Sequence, residues 1–309
     1  MEVFLYFFIH LVLPVLVMIL VLKMSQKFQN KCSISVWAVF GIALMGFLYS
    51  WGQWPLVGSY YLRFYPVLVI IVILWNTGSH LRKSLSNFPI KQSTYLFLVP
   101  ILILSVFIIV LDLRMMIDNN YPSQSINLEF PLRNGKYYIG SAGSNKLINN
   151  HFRNYPNSQQ YALDINKLGS FGNAYKSFFS RKPSNHYIFS DTIYSPCSGM
   201  IITTIDNVDD NTEATMMVDS ESGKGNYITL DCNGVHVSMY HLKKDGVFIQ
   251  VNSYVEVGDP IGMVGNSGFS QEPHLHIQAS TMNKDSIREG IPILFGNKYL
   301  KRNDLIDAR

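Results

Sequence analysis

The sequence predicts a protein in two parts, an N-terminal helical membrane region followed by an antiparallel all-β domain. Three observations predict this fold class. The 309 residues are 48% hydrophobic, but the apolar residues are concentrated towards the N-terminus. There they form runs that are nearly free of charge and close to the ~20 residues with which a helix crosses a bilayer. The second half instead alternates short β-branched and aromatic runs with turn residues, which is typical of an all-β domain.

The membrane region is predicted to cover residues 1–114 and to hold about four transmembrane helices. The apolar runs are Val3 to Leu22, Ile34 to Trp51, Phe64 to Trp75 and Tyr95 to Leu111. The third run is short for a span. Any single run could be a buried core helix, but four in succession before a polar half favour a membrane region. The first run lacks a preceding basic segment and a small-residue cleavage site, so we expect a membrane helix there and not a cleaved signal peptide.

Basic residues predict how these helices are oriented. The loops after the first and third runs carry most of the basic residues of this region, Lys23, Lys27, Lys31, Arg82, Lys83 and Lys91. Basic loops tend to stay in the cytoplasm, so four crossings place both termini and the second domain outside. The net charge of +4 comes partly from these loops. The second half has no basic stripe with interleaved aromatics, and we expect no nucleic-acid partner.

The composition changes at residues 115–125, where Asp, Asn, Pro and Ser accumulate, and this segment is predicted to be a linker. The domain that follows, residues 126–309, is predicted to contain short strands separated by turns. The predicted strands are Lys136 to Ile139, Tyr161 to Ile165, Tyr187 to Phe189, Met200 to Ile205, Ala214 to Asp219, Tyr227 to Asp231, Val235 to His241, Gly246 to Val251, Ile261 to Val264 and His274 to Ser280.

Two histidines on one of these strands give the first indication of chemistry. In His274-Leu275-His276, alternate side chains leave the same face of a strand, so both imidazoles point into one space. The pattern alone is a weak signal. Its surroundings, Tyr240-His241-Leu242, GDPIGMVGNSG and EPHLHIQA, resemble the LytM/lysostaphin-type zinc peptidases of the M23 family. With Tyr-Ala-Leu-Asp ending at Asp164, the resemblance covers roughly Asn127 to Ala279.

The resemblance implies an M23-like fold, zinc as the cofactor and hydrolysis of peptide bonds, with bacterial peptidoglycan as the substrate. The family's metal ligands are the histidine and aspartate of an H-x-x-x-D motif and the second histidine of H-x-H. Asp164 and His276 match two of them, but Gln160 stands where the family usually has histidine. An amide oxygen is a poor zinc ligand beside imidazole and carboxylate. Either His151, from the preceding loop, supplies the third ligand, or the site has decayed.

His241 and His274 match the pair of histidines that assists catalysis in the family. One imidazole can take a proton from the zinc-bound water while the other, protonated, stabilises the oxyanion. These expectations lead to a membrane-anchored, extracytoplasmic zinc endopeptidase of a bacterial cell membrane that acts on peptidoglycan. The alternative is a degenerate M23-like domain that binds cell-wall polymer or a partner protein without catalysis, and it rests on Gln160.

Further residues carry weaker expectations. Cys197 and Cys232 both lie beside predicted strands of the outer domain, where either a disulfide or two buried free thiols would fit. Cys32 lies in a cytoplasmic loop, where thiols stay reduced. His186 lies in a polar stretch and is expected to face solvent. The aromatic-rich segment Lys167 to Lys182 could shape a substrate groove.

Overall fold

In the computed structural model the chain forms two compact units, Met1–Ile117 and Asp118–Arg309. The structure describes residues 2–28, 30–83, 92–118, 121–153, 157–177, 180–212, 223–283 and 288–308.

The first unit is helical. Its α-helices are α1 (Glu2–Phe7), α2 (Leu13–Lys27), α3 (Lys31–Trp51), α4 (Tyr65–Lys83) and α5 (Gln92–Met116), with a π-helical turn, Phe8–Val12, between α1 and α2 and 3-10 turns at Trp54–Val57 and Tyr60–Phe64. Four helical segments of the described chain are long and apolar enough to cross a membrane, Leu5–Lys27, Lys31–Trp51, Tyr60–Lys83 and Thr94–Met116. The predicted N-terminal fold class, with four apolar helices, is confirmed.

The third of these segments is longer than its apolar run. The run ends at Trp75, but the helix continues to Lys83, giving a segment of 24 residues from Tyr60. A hydrogen bond within the helix lets polar residues continue it, because the hydroxyl of Ser79 donates to the carbonyl of Asn76 at 2.8 Å. A hydroxyl bonded back to the preceding turn satisfies its own hydrogen bond inside the helix.

The second unit is a β-sheet domain, as predicted. Its strands are β1 (Ile126–Leu128), β2 (Gly135–Ser141), β3 (Leu163–Leu168), β4 (Thr192–Tyr194), β5 (Gly199–Ile205), β6 (Asn226–Cys232), β7 (Val235–Val247), β8 (Tyr254–Val255), β9 (Pro260–Val264), β10 (Leu275–Met282), β11 (Arg288–Ile291), β12 (Ile293–Phe295), β13 (Lys298–Tyr299) and β14 (Leu305–Ala308). Among the described residues the larger sheet runs β14-β2-β3-β10-β7-β6-β5-β8, with β11 beside β10 and with β9 pairing both β4 and β7. Its strand pairs are antiparallel. A small sheet, β1-β12-β13, contains one parallel pair, β1 with β12.

The central strands β3, β10 and β7 have one apolar and one polar face, because side chains alternate along a strand. In β10, Leu275, Ile277 and Ala279 join the hydrophobic core. The residues between them, His276 and Gln278, lie on the other face, and they are also buried. The same alternation in β3 and β7 gives the middle of this sheet a polar face that is shielded from water.

Two predicted strands are wrong. Tyr187 to Phe189 lies in a turn, where the amide of Asp191 bonds the carbonyl of Ile188 at 2.9 Å, and the neighbouring strand is β4. Ile188 is fully buried, so its apolar character reflects the core and not a strand. Gly246 to Val251 is not a separate strand, because β7 runs on through its polar residues and ends at Val247. The predicted strand Ala214 to Asp219 lies outside the described residues.

A disulfide joins Cys197 to Cys232, with the two Cα atoms 6.1 Å apart. Cys197 lies just before β5, and Cys232 ends β6, which pairs with β5. The Cα separation lies within the range that a disulfide spans. Of the two arrangements that the sequence left open, the structure contains the disulfide.

Candidate metal centre

Asp164 and His276 are direct neighbours across two central strands. The register pairs Asp164 of β3 with His276 of β10, and residues directly opposite in an antiparallel pair project from the same face. Oδ1 of Asp164 lies 3.1 Å from Nδ1 of His276. On the other side of β10, the ring of Tyr240 stacks on His276 with centroids 5.0 Å apart and the planes 3° from parallel. The histidine ring is therefore held between a carboxylate and an aromatic face.

Gln278 fixes the protonation of His276. Its Oε1 lies 3.1 Å from Nε2 of His276, and both side chains are buried. The amide oxygen can only accept, so Nε2 carries the hydrogen and Nδ1 presents its lone pair towards Asp164. A lone pair facing a carboxylate oxygen is satisfied by a cation between them. Metal-binding histidines usually donate their second N–H to an oxygen in this way.

His151 completes the group from the loop between β2 and β3. Its Nε2 lies 2.8 Å from Oδ2 of Asp164, and its ring centroid lies 4.7 Å from that of His276. One ligand atom from each of His151, Asp164 and His276 falls within 4.8 Å of the others. Two imidazoles and one carboxylate are a donor set that zinc favours in catalytic sites. The residues present therefore fit a zinc ion.

The electrostatics of this group fit a cation site as well. Burial alone would raise the pKa of Asp164, but the surrounding histidines His151, His274 and His276 hold that pKa well below its usual value. Burial alone would lower the pKa of His151, but the Asp164 carboxylate outweighs it and raises the pKa. Burial lowers the pKa of His276, which favours the neutral ring that binds metals.

His241 reaches the site through an irregularity in β7. Its φ is +64°, in the left-handed region that residues other than glycine seldom adopt. The register between β6 and β7 shifts here, from Tyr227 opposite Tyr240 to Asn226 opposite Leu242, so His241 is the extra residue of a bulge. A bulge re-aims a side chain out of the alternation of its strand. The ring of His241 lies 4.9 Å from that of His274, centroid to centroid.

The two remaining histidines are oriented by backbone carbonyls. Nδ1 of His241 lies 2.9 Å from the carbonyl oxygen of Ser267, and Nδ1 of His274 lies 2.7 Å from that of Glu272. A carbonyl only accepts, so in both rings Nδ1 carries the hydrogen and Nε2 is left to work in the site. Burial lowers the pKa of His241 well below its ordinary value. Nε2 of His274 lies 3.6 Å from Oδ1 of Asp164.

The structure brings all five sequence-predicted site residues together. Three form the possible metal group, His151, Asp164 and His276, and His241 and His274 stand beside it. Gln160, at the family's histidine position, lies in a turn, and its backbone carbonyl accepts a bond from Asn149 at 3.2 Å. Of the predicted groove segment, Phe171 is 81% exposed.

The prediction that His186 faces solvent is wrong. Its side chain is buried, 5% exposed, and Nδ1 has no hydrogen-bond partner in the part of the chain that the structure describes. Residue 186 forms an isolated bridge with Tyr175, whose ring lies 6.3 Å from the imidazole, centroid to centroid. Burial, with the charges of His274 and Lys176, lowers the pKa of His186 to about 4.

Sequence reasoning missed Gln278 and Asn149, which contact the predicted ligands. Gln278 could have been found, because it stands two residues after His276 and so leaves the same face of the strand. Asn149 gave no such signal. Its contacts depend on the conformation of an irregular loop.

The sequence is similar to known peptidases in this unit. Residues 189–288 match the model of Peptidase family M23. A segment of 55 residues is 42% identical to an uncharacterized metalloprotease of Buchnera aphidicola subsp. Baizongia pistaciae, covering 18% of this chain and 14% of that protein. A segment of 86 residues is 37% identical to lysostaphin of Staphylococcus staphylolyticus, covering 26% of this chain and 18% of that protein.

The chain thus spans less than a fifth of the length of these two relatives. A solved structure of a zinc-containing peptidase from Vibrio cholerae aligns with 56% of this chain and 39% of that chain, at 16% identity and a TM-score of 0.28. The segment that matches the family model contains His241, His274 and His276. The second unit of the chain therefore contains a segment, residues 189–288, that matches Peptidase family M23.

Proposed function

We propose that this protein is a membrane-anchored, extracytoplasmic zinc metallo-endopeptidase that hydrolyses peptide bonds in peptidoglycan. The observation that carries the proposal is the convergence of His151, Asp164 and His276, whose ligand atoms lie within 4.8 Å of one another, with His241 and His274 at their side. A zinc ion held by three such ligands supplies a Lewis acid that polarises a carbonyl and acidifies water.

The two further histidines divide the proton chemistry. Burial keeps His241 neutral, and its Nδ1–H is committed to Ser267, so Nε2 can accept the proton of the attacking water. His274, whose Nε2 lies 3.6 Å from a carboxylate oxygen of Asp164, has the second role, stabilising the negative charge that develops on the carbonyl oxygen of the scissile bond.

The location rests on two features. Most basic residues of the first unit lie near the end of α2, at the start of α3 and at the end of α4, and basic residues that flank membrane helices tend to stay in the cytoplasm. The Cys197–Cys232 disulfide favours an oxidising compartment for the second unit. Peptidoglycan as the substrate follows from the family and from this placement on a bacterial cell membrane.

A second candidate is a degenerate M23 domain that binds cell-wall polymer or a partner protein without catalysis. Gln160 favours it, because the sequence has lost the histidine that the family motif places there. The contact of His151 with Asp164 at 2.8 Å favours the enzyme, because it supplies an imidazole where the motif lacks one.

Metal content measured together with activity separates the two candidates. The protein is purified and analysed for zinc, and the same samples are tested for peptidoglycan digestion. We expect about one zinc per wild-type chain, and loss of both zinc and digestion in His151→Ala and His276→Ala. His236→Ala is the matched control, because His236 lies in β7 opposite Asp231 and Ser280, outside the group of five.

Three results would change the assignment. Loss of zinc in His276→Ala but not in His151→Ala would indicate that Gln160 or water, and not His151, is the third ligand. Wild-type protein that retains zinc but does not digest peptidoglycan would favour the second candidate, a domain that binds without catalysis. Neither zinc nor digestion in the wild type would reject the enzyme.

A further inference from the structure

The loop that carries His151 is built around one buried asparagine. Asn149 is fully buried, and its side-chain nitrogen lies 2.8 Å from the carbonyl oxygen of Gly143. The same nitrogen lies 3.2 Å from the carbonyl of Gln160 and 3.4 Å from that of Ala162. Gly143 belongs to the loop after β2, and the other two residues lead into β3. One amide group therefore ties the His151 loop to the segment that ends in Asp164.

The side-chain oxygen of Asn149 bonds the backbone of His151 itself. Oδ1 accepts the backbone N–H of His151 at 2.9 Å, and the hydroxyl of Ser141 donates to it at 3.4 Å. The Ser141 hydroxyl in turn accepts the backbone N–H of Asn150 at 2.9 Å. The chain direction at residues 150 and 151 is thus set by side chains that supply none of the proposed ligand atoms.

A buried arginine holds the same loop from the C-terminal segment. The guanidinium of Arg302 donates to the carbonyl of Gly140 at 2.9 Å, to that of Leu147 at 3.1 Å and to the side-chain oxygen of Asn150 at 3.0 Å. Residues 140–151 and Arg302 all lie outside the segment 189–288 that matches the family model. The support for His151 therefore comes from parts of the chain that the matched domain does not include.

We propose that Asn149 is a positioning residue that holds the His151 loop in its ligand-binding conformation, so that the third zinc ligand is in place before the ion binds. The proposal rests on the proposed function, since it concerns the same site. An irregular loop without these bonds would have to be ordered when zinc binds, and the lost entropy would weaken the affinity. Partners that orient a metal ligand typically change metal affinity 10- to 100-fold.

The test measures zinc affinity on the full-length protein in detergent. Zinc-depleted wild type, Asn149→Ala and Asn149→Asp are titrated with zinc against a competing chelator. The melting temperature of each metal-free protein is measured beside it. The absorption spectrum of the cobalt(II)-loaded forms reports the coordination geometry. Ser141→Ala is the milder variant, because it removes one hydroxyl and keeps Asn149.

Asn185→Ala is the matched control. Asn185 is also buried and also bonds several backbone groups, with its side-chain nitrogen 2.9 Å from the carbonyl of Ser180 and its oxygen accepting from the amide of Ser177 at 2.9 Å. Its loop carries none of the proposed ligands. Its replacement is expected to lower the melting temperature and to leave the zinc dissociation constant within about threefold of wild type.

We expect the zinc dissociation constant to rise about tenfold or more in both Asn149 variants. A smaller rise is expected in Ser141→Ala, with an altered cobalt spectrum in all three variants. If the Asn149 variants do not fold, the zinc dissociation constant and the cobalt spectrum of Ser141→Ala test the positioning role instead. Wild-type zinc affinity and an unchanged cobalt spectrum, with only the melting temperature reduced, would overturn the positioning role alone. A wild type that binds no zinc would overturn the proposed function, and this inference with it.

Discussion

Replacing Gln278 by leucine should weaken zinc binding about 10- to 100-fold, although the side chain is not a ligand. The bond at risk joins Oε1 of Gln278 to Nε2 of His276 over 3.1 Å, with both side chains almost completely buried. Leucine keeps the approximate volume and removes the acceptor, so the buried Nε2–H is left without a partner and the ring is free to change tautomer. At 1.36 kcal/mol for each factor of ten, the loss is about 1.4 to 2.7 kcal/mol of binding free energy.

The matched variant, Gln278→Glu, should act in the opposite direction. A carboxylate accepts the same N–H more strongly and makes His276 a better ligand. Zinc affinities of both variants and the wild type are compared by chelator competition at one pH and one ionic strength. We expect the Gln278→Glu variant to bind zinc most tightly, the wild type less tightly and the Gln278→Leu variant least tightly. Equal affinities of the leucine variant and the wild type would refute the argument that Gln278 sets the tautomer of His276.

Three further predictions concern pH and stability. Because Asp164 raises the pKa of His151, protons compete with zinc at higher pH than for an ordinary histidine, and zinc affinity should fall on acidification from neutral pH. The pKa of His186 is about 4 in the folded protein and about 6.5 in the unfolded chain, so the unfolded chain takes up a proton first as the pH falls. The free energy of unfolding should therefore fall by about 3 kcal/mol in total between pH 6.5 and pH 4. His186→Phe should flatten this pH dependence. Reducing the Cys197–Cys232 disulfide, whose cysteines are 35 residues apart, should lower the free energy of unfolding of the second unit by about 4 kcal/mol. Urea unfolding with and without reductant measures this difference. Circular dichroism suits both stability measurements, since all four tryptophans precede residue 76.

The helices and the central strands could be predicted because their signals are local. Long apolar runs identify membrane-length helices, and a strand such as β6 alternates buried and half-buried residues along its length. The last strands, β11 to β14, have two to four residues each, which is too short for an alternation to stand out in the sequence. Their connections use Asn297 and Asn303 with positive φ, a conformation for which asparagine is suited but which it does not guarantee.

The candidate site shows a different limit. The sequence supplies the histidines and Asp164, but their meeting depends on register, which places His276 opposite Asp164 and Tyr240 at once. It depends also on the bulge at His241, where one extra residue changes the direction of the side chain. Neither can be read from a strand pattern, because register and bulges are set by long-range pairing between segments.

The loop contacts give Gln160 a structural role, because its backbone carbonyl holds the loop that carries His151. In the family motif a histidine four residues before the aspartate supplies a ligand from the same segment. Here the backbone carbonyl of Gln160 is an anchor for Asn149, and Asn149 orients the amide of His151. The segment that holds the family's ligand position therefore helps to fix the loop that carries His151, the proposed replacement. Gln160→His in a His151→Ala background should restore only part of the zinc content that elemental analysis finds in the wild type, because the loop around Asn149 would still occupy its place beside Asp164.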